Sequence, residues 1–327
     1  MPGKKQVRLA FCDLAPDWAA RDNYFTQALE HAGWEITFCN GPEEKPDFVL
    51  CGTFGFDFLK YDCCRIQFSG EDSWPDLNLY DYAMGFEVLD FDGRYLRLPL
   101  YAMRSSWAPA LTKHTVPDEE LLAKKKFCNF VVSNDYSNER NEFFAALNAH
   151  RPVDSGGGYM NNIGGPGTDK LAFQRGYKFS IAYENSCGPG YCTEKIVDAF
   201  AAATVPIYWG APDVKQEFNP AAFLCADDYP DTAALIAAID EIDRDDEKFL
   251  AMCHAPILAP DGSSRAARYV TDEACAEFLT DIFEKGPHLR RNRSCWGSIY
   301  EGDWKYYRRL AEADRKPKGL LQRILGR

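Results

Sequence analysis

The chain has 327 residues, which is long enough for one large domain or for two domains that each bury a hydrophobic core. Hydrophobic residues make up 46% of it and charged residues 26%, the composition of a soluble globular protein. The net charge of −12 argues against broad nucleic-acid binding, because such binding takes most of its affinity from the neutralisation of phosphates.

The first third of the chain alternates apolar runs typical of strands with a helical pattern. The pattern DNYFTQALEHA predicts a helix, and the segment around Asp92-Gly93 predicts two strands joined by a turn. This alternation is typical of an α/β domain with a mostly parallel sheet. The other predicted strands are VRLAFC, WEITFC, DFVLCG and RIQFSG.

A second alternation follows a charged stretch, residues 116–126, that is typical of a linker. We therefore predict two α/β domains with a ligand in the cleft between them, because open α/β sheets bind ligands at the carboxyl ends of their strands. The predicted limits are 1–120 and 121–290 for the domains and 291–327 for a basic, partly helical tail. The second domain is predicted to contain the strands CNFVVSN, YKFSIAY and VPIYWG, and the helices NERNEFFAALNAH and TEKIVDAFAAA.

The twelve cysteines form no C-x-x-C pair and are accompanied by no pair of histidines. This spacing predicts neither a zinc site nor a disulfide framework, so we expect reduced thiols. The N-terminal residues MPGKKQVRLAF contain no long apolar region, which predicts the absence of a signal peptide. Together these features favour a cytoplasmic protein.

The stretch ENSCGPGYCTEKIVDAF, residues 184–200, joins a predicted strand to a predicted helix through a glycine-rich loop. A helix N-terminus at the carboxyl edge of a sheet presents free N–H groups, so it can bind an anion. Thr193 is the predicted N-cap, and Lys195 in the first turn opposes the helix dipole by about 0.3–1 kcal/mol unless an anion binds there. Glu194 is of a type that binds ribose hydroxyls. An exposed Glu-Lys pair at an ordinary helix start is the equally supported alternative.

The longer run YENSCGPGYCTEKIVDAFAAATVPIYWGAP resembles the donor-binding signature of the α1,3/4-fucosyltransferases, glycosyltransferase family 10. The resemblance covers roughly residues 65–259, because further segments are similar to those of the bacterial members. It implies a GT-B type fold, in which two Rossmann-like α/β domains face each other across a cleft. The acceptor would bind the N-terminal domain and GDP-fucose the C-terminal one. The further segments are FCNFVVSN with ERNEFFAALN, RPVDSGGGYMNN, VKQEFNPAAF, and SGEDSWPDLNLYDYAMGFEVLDFDGRYLRLPLY.

Carried over residue by residue, the resemblance implies that Lys195 and Arg140 bind the diphosphate of GDP-fucose and that Glu194 binds its ribose. Asn185 and Tyr191 would line the donor pocket. Arginine offers a bidentate fork to phosphate and lysine a point charge, so both residue types suit a diphosphate. Without the resemblance, Arg140 would be interpreted as a solvated helix residue.

Two further carboxylates complete the predicted site. Glu184, in the signature, is assigned to the donor site, and Glu71 in QFSGED would be the general base. An inverting transfer needs a carboxylate that takes the proton of the acceptor hydroxyl as this attacks C1 of fucose. One departure concerns Phe68, where the bacterial relatives carry Tyr, so a hydroxyl near the fucose would be lost.

No metal site is predicted. Asp90-Phe91-Asp92 matches the D-x-D motif with which another glycosyltransferase fold binds a metal and a diphosphate, but its place before Gly93 between two strands favours a turn. The five histidines form no metal-binding or nucleophilic pattern. Because Lys195 and Arg140 are expected to hold the diphosphate, we expect no cofactor and no requirement for a divalent metal.

The resemblance therefore predicts an inverting α1,3-fucosyltransferase that moves L-fucose from GDP-β-L-fucose to the GlcNAc hydroxyl of a LacNAc-type or lipid-linked glycan. The choice between α1,3 and α1,4 linkage stays open at this point. Two alternatives also remain: an inverting GT-B transferase that uses another nucleotide sugar, and a catalytically idle glycan-binding relative. An idle relative would be expected to have lost Glu71, Arg140 or Lys195, and all three are present.

The C-terminal residues 315–327, RKPKGLLQRILGR, are basic and contain no acidic residue. Their leucines and isoleucine share one helical face, as in a short helix that lies on a membrane surface. Packing of this basic terminus on the acidic body of the chain is the alternative. Because the relatives act on lipid-linked or surface glycans, we favour peripheral contact with the inner membrane slightly.

Overall fold

The structure is a computed structural model that describes residues 5–15, 18–19, 21–164 and 169–315. Strands and helices alternate along most of this length. The strands are β1 (Lys5–Cys12), β2 (Trp34–Cys39), β3 (Phe48–Cys51), β4 (Cys64–Phe68), β5 (Tyr82–Gly85), β6 (Tyr95–Arg97), β7 (Lys126–Phe130), β8 (Asp154–Ser155), β9 (Tyr177–Tyr183), β10 (Val205–Trp209) and β11 (Leu224–Cys225). The helices are α1 (Tyr24–His31), α2 (Trp107–Leu111), α3 (Asp118–Leu122), α4 (Asn138–His150), α5 (Lys170–Arg175), α6 (Glu194–Ala201), α7 (Val214–Glu217), α8 (Thr232–Arg244), α9 (Asp246–His254), α10 (Glu273–Glu284) and α11 (Cys295–Arg315).

The chain forms two compact units. Unit 1 contains the described residues of Met1–Gly85, Leu89–Leu96 and Cys275–Arg327. Unit 2 contains those of Phe86–Val88 and Arg97–Ala274. These limits differ from the predicted boundaries at residues 120 and 290.

Packing explains the difference at the first boundary. Tyr101 and Trp107 lie against Phe218, with ring centroids 5.2 and 6.5 Å away, so the segment before residue 120 already belongs to unit 2. The prediction of a linker at residues 116–126 is wrong, because α3 forms there and buries Leu121 completely in the unit 2 core.

Unit 1 is built on a six-stranded sheet in the order β2-β1-β3-β4-β5-β6, and the strands from β2 to β5 pair in parallel. β3 and β4 are buried along their whole length, as in a parallel sheet that is covered on both faces. α1 begins with a capping box, in which Asn23 Oδ1 accepts from the N–H of Thr26 (3.1 Å) and Thr26 Oγ1 accepts from the N–H of Asn23 (3.0 Å). The four strands predicted from VRLAFC to RIQFSG are confirmed.

The turn predicted between β5 and β6 is also present. Asp92 and Gly93 have φ values of +48° and +63°, and the N–H of Arg94 donates to the carbonyl oxygen of Phe91 (2.8 Å). The Asp92 carboxylate lies 2.6 Å from the guanidinium group of Arg290. The D-x-D sequence is therefore part of a turn.

Buried ion pairs fix the C-terminal segment to unit 1. Arg65 of β4 is fully buried, and its Nη2 lies 3.1 Å from Oε1 of Glu301 in α11. Arg291 and Asp81 form a second buried pair. Residues 291–315 are thus part of a domain rather than a separate tail. The membrane contact is predicted for residues 315–327, and of these 316–327 lie outside the described residues.

Replacing Glu301 by glutamine is expected to lower the free energy of unfolding at pH 7 by about 3 kcal/mol, because Arg65 then stays buried without its anion. Burial acts to raise the pKa of Glu301, but Lys305 and Arg65 lower it from 4.5 to about 2. The stabilisation is therefore present above pH 4.5 and is lost as the pH falls towards 2. Urea unfolding between pH 7 and pH 3 should show the two proteins converging. Glu312→Gln, which removes an exposed partner of Arg308, should change stability by less than about 0.5 kcal/mol and serves as the control.

Unit 2 is built on a five-stranded parallel sheet in the order β11-β10-β9-β7-β8. α4 and β9 begin and end at the predicted residues. The core contains the stacked rings of Phe130 and Phe144, whose centroids are 4.6 Å apart. α6 buries Ile196, Val197 and Phe200, as its helical spacing predicted. The carboxyl ends of the central strands β7 and β9 are followed by loops 131–137 and 184–193, which contain or adjoin the candidate site.

Two general features of the described residues concern the cysteines and the helices. All twelve cysteines lie within the described residues, and each is a thiol rather than half of a disulfide. Within the ranges that the structure describes, no helix combines the length and the apolar character that crossing a bilayer requires.

Candidate functional site

The carboxylate of Glu184 lies at the centre of the candidate site, directly after β9. It is completely buried and accepts hydrogen bonds from the N–H of Thr193 (2.7 Å), from Oγ1 of Thr193 (2.7 Å) and from Nζ of Lys195 (2.9 Å). Gly210, after β10, makes room for it, since a Cβ at that position would lie 2.5 Å from Cγ of Glu184. Glu184 therefore supports Lys195 in this arrangement, and its predicted contact with the donor stays a prediction.

Lys195 and Glu194 form the charged first turn of α6. Burial acts to lower the pKa of Lys195, but the carboxylates of Glu184 and Glu194 raise it above its usual value. Burial acts to raise the pKa of Glu194, but Lys195 and more distant cations lower it to about 2. Both side chains are therefore ionised at neutral pH.

Thr193 stands at the predicted N-cap position, but its hydroxyl does not cap the helix. The hydroxyl donates to Glu184 and accepts from Lys195 Nζ (3.0 Å), and it accepts no hydrogen bond from the backbone N–H groups of the first turn. Thr193 is thus the N-cap residue, as predicted, but its hydroxyl donates to the buried carboxylate of Glu184 instead of accepting from the helix backbone. The amides of the first turn are left without this cap, as an anion site requires.

Arg140 reaches the same edge of the sheet from the first turn of α4. Ser137 caps this helix by accepting from the N–H of Arg140 (3.2 Å). The guanidinium group donates to Oδ1 of Asn185 and, at 2.8 Å, to the carbonyl oxygen of Asn134. Arg140 is 1% exposed, and its Nε is a buried donor with no hydrogen-bond partner among the described residues. Burial lowers the pKa of Arg140. The neighbouring residues Glu184 and Asn185 thus hold the two predicted phosphate-binding residues, because Glu184 accepts from Lys195 and Asn185 accepts from Arg140.

Tyr191 lies in the glycine-rich loop and is almost completely buried. Its ring packs edge-on against Phe86, with centroids 4.8 Å apart and planes inclined by 72°. Tyr191 is therefore a buried residue of the loop that packs on Phe86. Its contact with a donor stays a prediction.

Glu71 lies in unit 1, in the turn that follows β4. Oγ of Ser69 and the N–H of Ser73 donate to the carbonyl oxygen of Glu71 at 2.9 and 2.8 Å, and the Glu71 side chain is exposed. The structure thus gathers the six residues predicted for the donor site within unit 2 and places the predicted base at the carboxyl edge of the other sheet.

Sequence reasoning missed two residues of this site. Gly210 permits the buried position of Glu184, and Asn134 helps to orient Arg140. The signal for Gly210 was its place directly after a strand, where a close approach often requires glycine. Asn134 offered no signal, because its contact depends on how the loop before α4 folds back.

Two family models match the chain. The alpha-(1,3)-fucosyltransferase FucT N-terminal domain matches residues 9–104, and the glycosyltransferase family 10 (fucosyltransferase) C-terminal domain matches residues 121–254. Together they cover most of both units.

Individual proteins give the same result. The chain is 33% identical over 286 residues to the alpha-(1,3)-fucosyltransferase FucT of Helicobacter pylori, a match that covers 77% of this chain and 60% of that protein. It is 30% identical to alpha-(1,3)-fucosyltransferase B of Drosophila melanogaster over 51% of this chain and 42% of that protein. The chain therefore spans about 60% or less of the length of these relatives.

A crystal structure of an alpha1,3-fucosyltransferase with GDP-fucose resembles this one with a TM-score of 0.75 and 28% identity, over 89% of this chain and 95% of that chain. A sucrose-phosphate synthase from Thermosynechococcus elongatus shares the fold alone, with a TM-score of 0.51 and 12% identity, over 85% of this chain and 98% of that chain. With the two parallel-sheet units, these likenesses confirm the GT-B type fold.

Proposed function

The chain belongs to glycosyltransferase family 10, and from this premise we propose that it is an inverting α1,3-fucosyltransferase. It transfers L-fucose from GDP-β-L-fucose to the GlcNAc hydroxyl of a LacNAc-type glycan. The similar crystal structure of an alpha1,3-fucosyltransferase contains GDP-fucose.

The observation that carries the proposal is the pair of cations at the end of β9. Lys195 is held by the buried carboxylate of Glu184, and Arg140 is held by Asn185, with the Arg140 Nε buried and unpaired among the described residues. Arginine binds phosphate through its fork of N–H donors, and lysine binds it through a point charge. Together with the amides of the α6 N-terminus, these groups suit a diphosphate.

The proposed mechanism gives each residue one task. Lys195 and Arg140 bind the diphosphate and stabilise the negative charge that grows on the departing GDP. Glu194, kept ionised by its neighbours, accepts hydrogen bonds from the ribose hydroxyls. Glu71 takes the proton of the acceptor hydroxyl while the hydroxyl oxygen forms a bond to C1 of fucose. The bond from C1 to the β-phosphate oxygen breaks, its electron pair leaves with GDP, and C1 is inverted.

We also propose that the reaction requires no cofactor and no divalent metal, because two protein cations and the helix amides are available to the leaving group. A cytoplasmic location remains a prediction from the cysteine spacing and the N-terminal residues. A contact of residues 315–327 with the inner membrane remains a prediction from their basic sequence and the family resemblance. The acceptor class rests on the family resemblance.

The test is transfer from GDP-fucose to LacNAc, lactose and a type 1 acceptor, measured as GDP release and as product linkage by mass spectrometry and NMR. We expect fucosyl-LacNAc with an α1,3 bond and the same rate in EDTA as without it. A thermal-shift ranking of GDP, GDP-fucose, GDP-mannose and UDP-GlcNAc should place GDP-fucose or GDP first. Strong stabilisation by another nucleotide sugar would instead favour a different donor, and GDP binding without any transfer would favour an idle relative.

A further inference from the structure

The glycine-rich loop before α6 is held at Gly190 from both sides. The N–H of Gly190 donates to Oδ1 of Asp213 (2.8 Å), and Nη2 of Arg97 donates to the carbonyl oxygen of Gly190 (3.1 Å). Gly190 has a φ of +80°, and a Cβ on it would lie 2.4 Å from the carbonyl oxygen of Phe86. Only glycine fits at this point. The Asp213 and Arg97 side chains therefore hold the loop by hydrogen bonds to its backbone.

Ion pairs hold the side chains of Arg97 and Asp213 in place. Arg97 Nη1 lies 3.0 Å from Oε1 of Glu217, Arg97 Nη2 lies 3.0 Å from its Oε2, and Asp213 Oδ2 lies 2.8 Å from Arg265 Nη2. Burial acts to lower the pKa of Arg97, but Glu217 raises it well above its usual value. Burial acts to raise the pKa of Asp213, but the N–H of Gly190 and Arg265 lower it. The side chains of Arg97 and Asp213 are therefore both charged at neutral pH.

The same arginine also supports Tyr191. Arg97 Nε donates to the carbonyl oxygen of Phe86 (2.9 Å), and the ring of Phe86 packs edge-on against Tyr191. Arg97 thus fixes both the backbone of Gly190 and the surface on which the next residue rests. We call Arg97 and Asp213 the loop clamp.

We propose that the loop clamp consists of positioning residues for the nucleotide-sugar donor. It fixes the loop so that Tyr191 and the amides of the α6 N-terminus stand where a bound diphosphate sugar needs them. The inference rests on the proposed function, and neither clamp residue contacts the donor itself. Because the clamp acts on the geometry of binding, its loss weakens donor affinity more than it slows turnover.

The test compares KM for GDP-fucose, kcat and melting temperature in the wild type, Asp213→Ala, Asp213→Asn and Arg97→Lys. Asp213→Ala is expected to raise KM by about tenfold or more, the effect of losing a charge-assisted hydrogen bond, with kcat changed by less than about threefold. Asp213→Asn keeps an oxygen that can accept from the N–H of Gly190, so it should restore most of the affinity. This graded recovery is not expected from a loss of stability alone.

Glu301→Gln is the matched control, because it breaks a buried ion pair in unit 1. It should lower the melting temperature without raising KM for GDP-fucose. An unchanged KM in Asp213→Ala, or an equal rise in Glu301→Gln, would overturn the loop clamp. If Asp213→Ala does not fold, unchanged KM values in both Asp213→Asn and Arg97→Lys overturn it. A wild-type protein that neither binds GDP nor transfers fucose contradicts the proposed function instead, so the two failures are distinguishable.

Discussion

Replacing Lys195 by alanine is expected to lower kcat/KM for GDP-fucose by roughly 10²–10³-fold. The Lys195 ammonium group is fixed 2.9 Å from Glu184 Oε2, and this carboxylate raises its pKa against the effect of burial, so the charge is present throughout the neutral range. In the proposed mechanism this charge binds the donor diphosphate, and its attraction strengthens as negative charge grows on the departing GDP. Initial rates of GDP release at varied GDP-fucose concentration, together with calorimetric GDP binding, measure both effects.

A second variant separates ligand binding from folding. Lys195→Ala leaves the fully buried Glu184 carboxylate without its cation, which is expected to reduce stability by about 3 kcal/mol. In the double variant Lys195→Ala with Glu184→Gln, both charges are gone and much of the melting temperature should return, while donor affinity stays low. Recovery of GDP affinity in the double variant would mean that Lys195 serves Glu184 and not the phosphate. Lys215→Ala, which removes an exposed lysine paired with Asp228, should change kcat/KM less than about twofold.

The strands and helices of both units could be predicted where the pattern was long and regular. α4 and β9 begin and end where their apolar periodicity predicted. β8 and β11 have only two residues each, which is too short for any periodicity to register. The charge of the stretch 116–126 is typical of a linker, whereas the burial of Leu121 in the unit 2 core makes α3 part of that unit.

The residues of the donor site could be predicted from the sequence, but the contacts between them could not. Lys195 was notable because a cation opposes the dipole of the helix in whose first turn it lies. From the sequence, an anionic ligand explains a lysine at this position. The structure adds the buried carboxylate of Glu184, which already neutralises the charge of Lys195. That pairing depends on the room left by Gly210, and the hold on Gly190 comes from Arg97, 93 residues earlier in the chain. Contacts between such distant positions follow from the fold and have no local pattern.

Replacing Glu71 by alanine is expected to lower kcat by at least about 10²-fold while KM for GDP-fucose and the affinity for GDP change less than about twofold. The expectation follows from the proposed division of tasks, since Glu71 acts on the acceptor hydroxyl and the donor-binding residues lie in unit 2. Steady-state kinetics with LacNAc and calorimetric GDP binding on the same preparation measure the two parts separately.

The local structure makes this substitution informative. The turn after β4 is held through the backbone carbonyl oxygen of Glu71, which accepts from Ser69 and Ser73 and is kept in every Glu71 variant. Glu71→Gln keeps the shape but cannot take up a proton, so it should be as slow as Glu71→Ala. Asp72→Asn changes the neighbouring carboxylate and should retain most of the activity.

Chemical rescue distinguishes a missing base from a damaged acceptor site. If Glu71 is the general base, formate can enter the space left in Glu71→Ala and accept the proton, so the rate of transfer should rise with formate concentration. Glu71→Gln, in which the space stays filled, should respond less. Wild-type turnover in Glu71→Ala would refute the assignment directly. A slow variant with a greatly raised KM for LacNAc and no response to formate would instead give Glu71 a role in holding the acceptor, because a carboxylate that only binds the sugar cannot be replaced by a diffusing base.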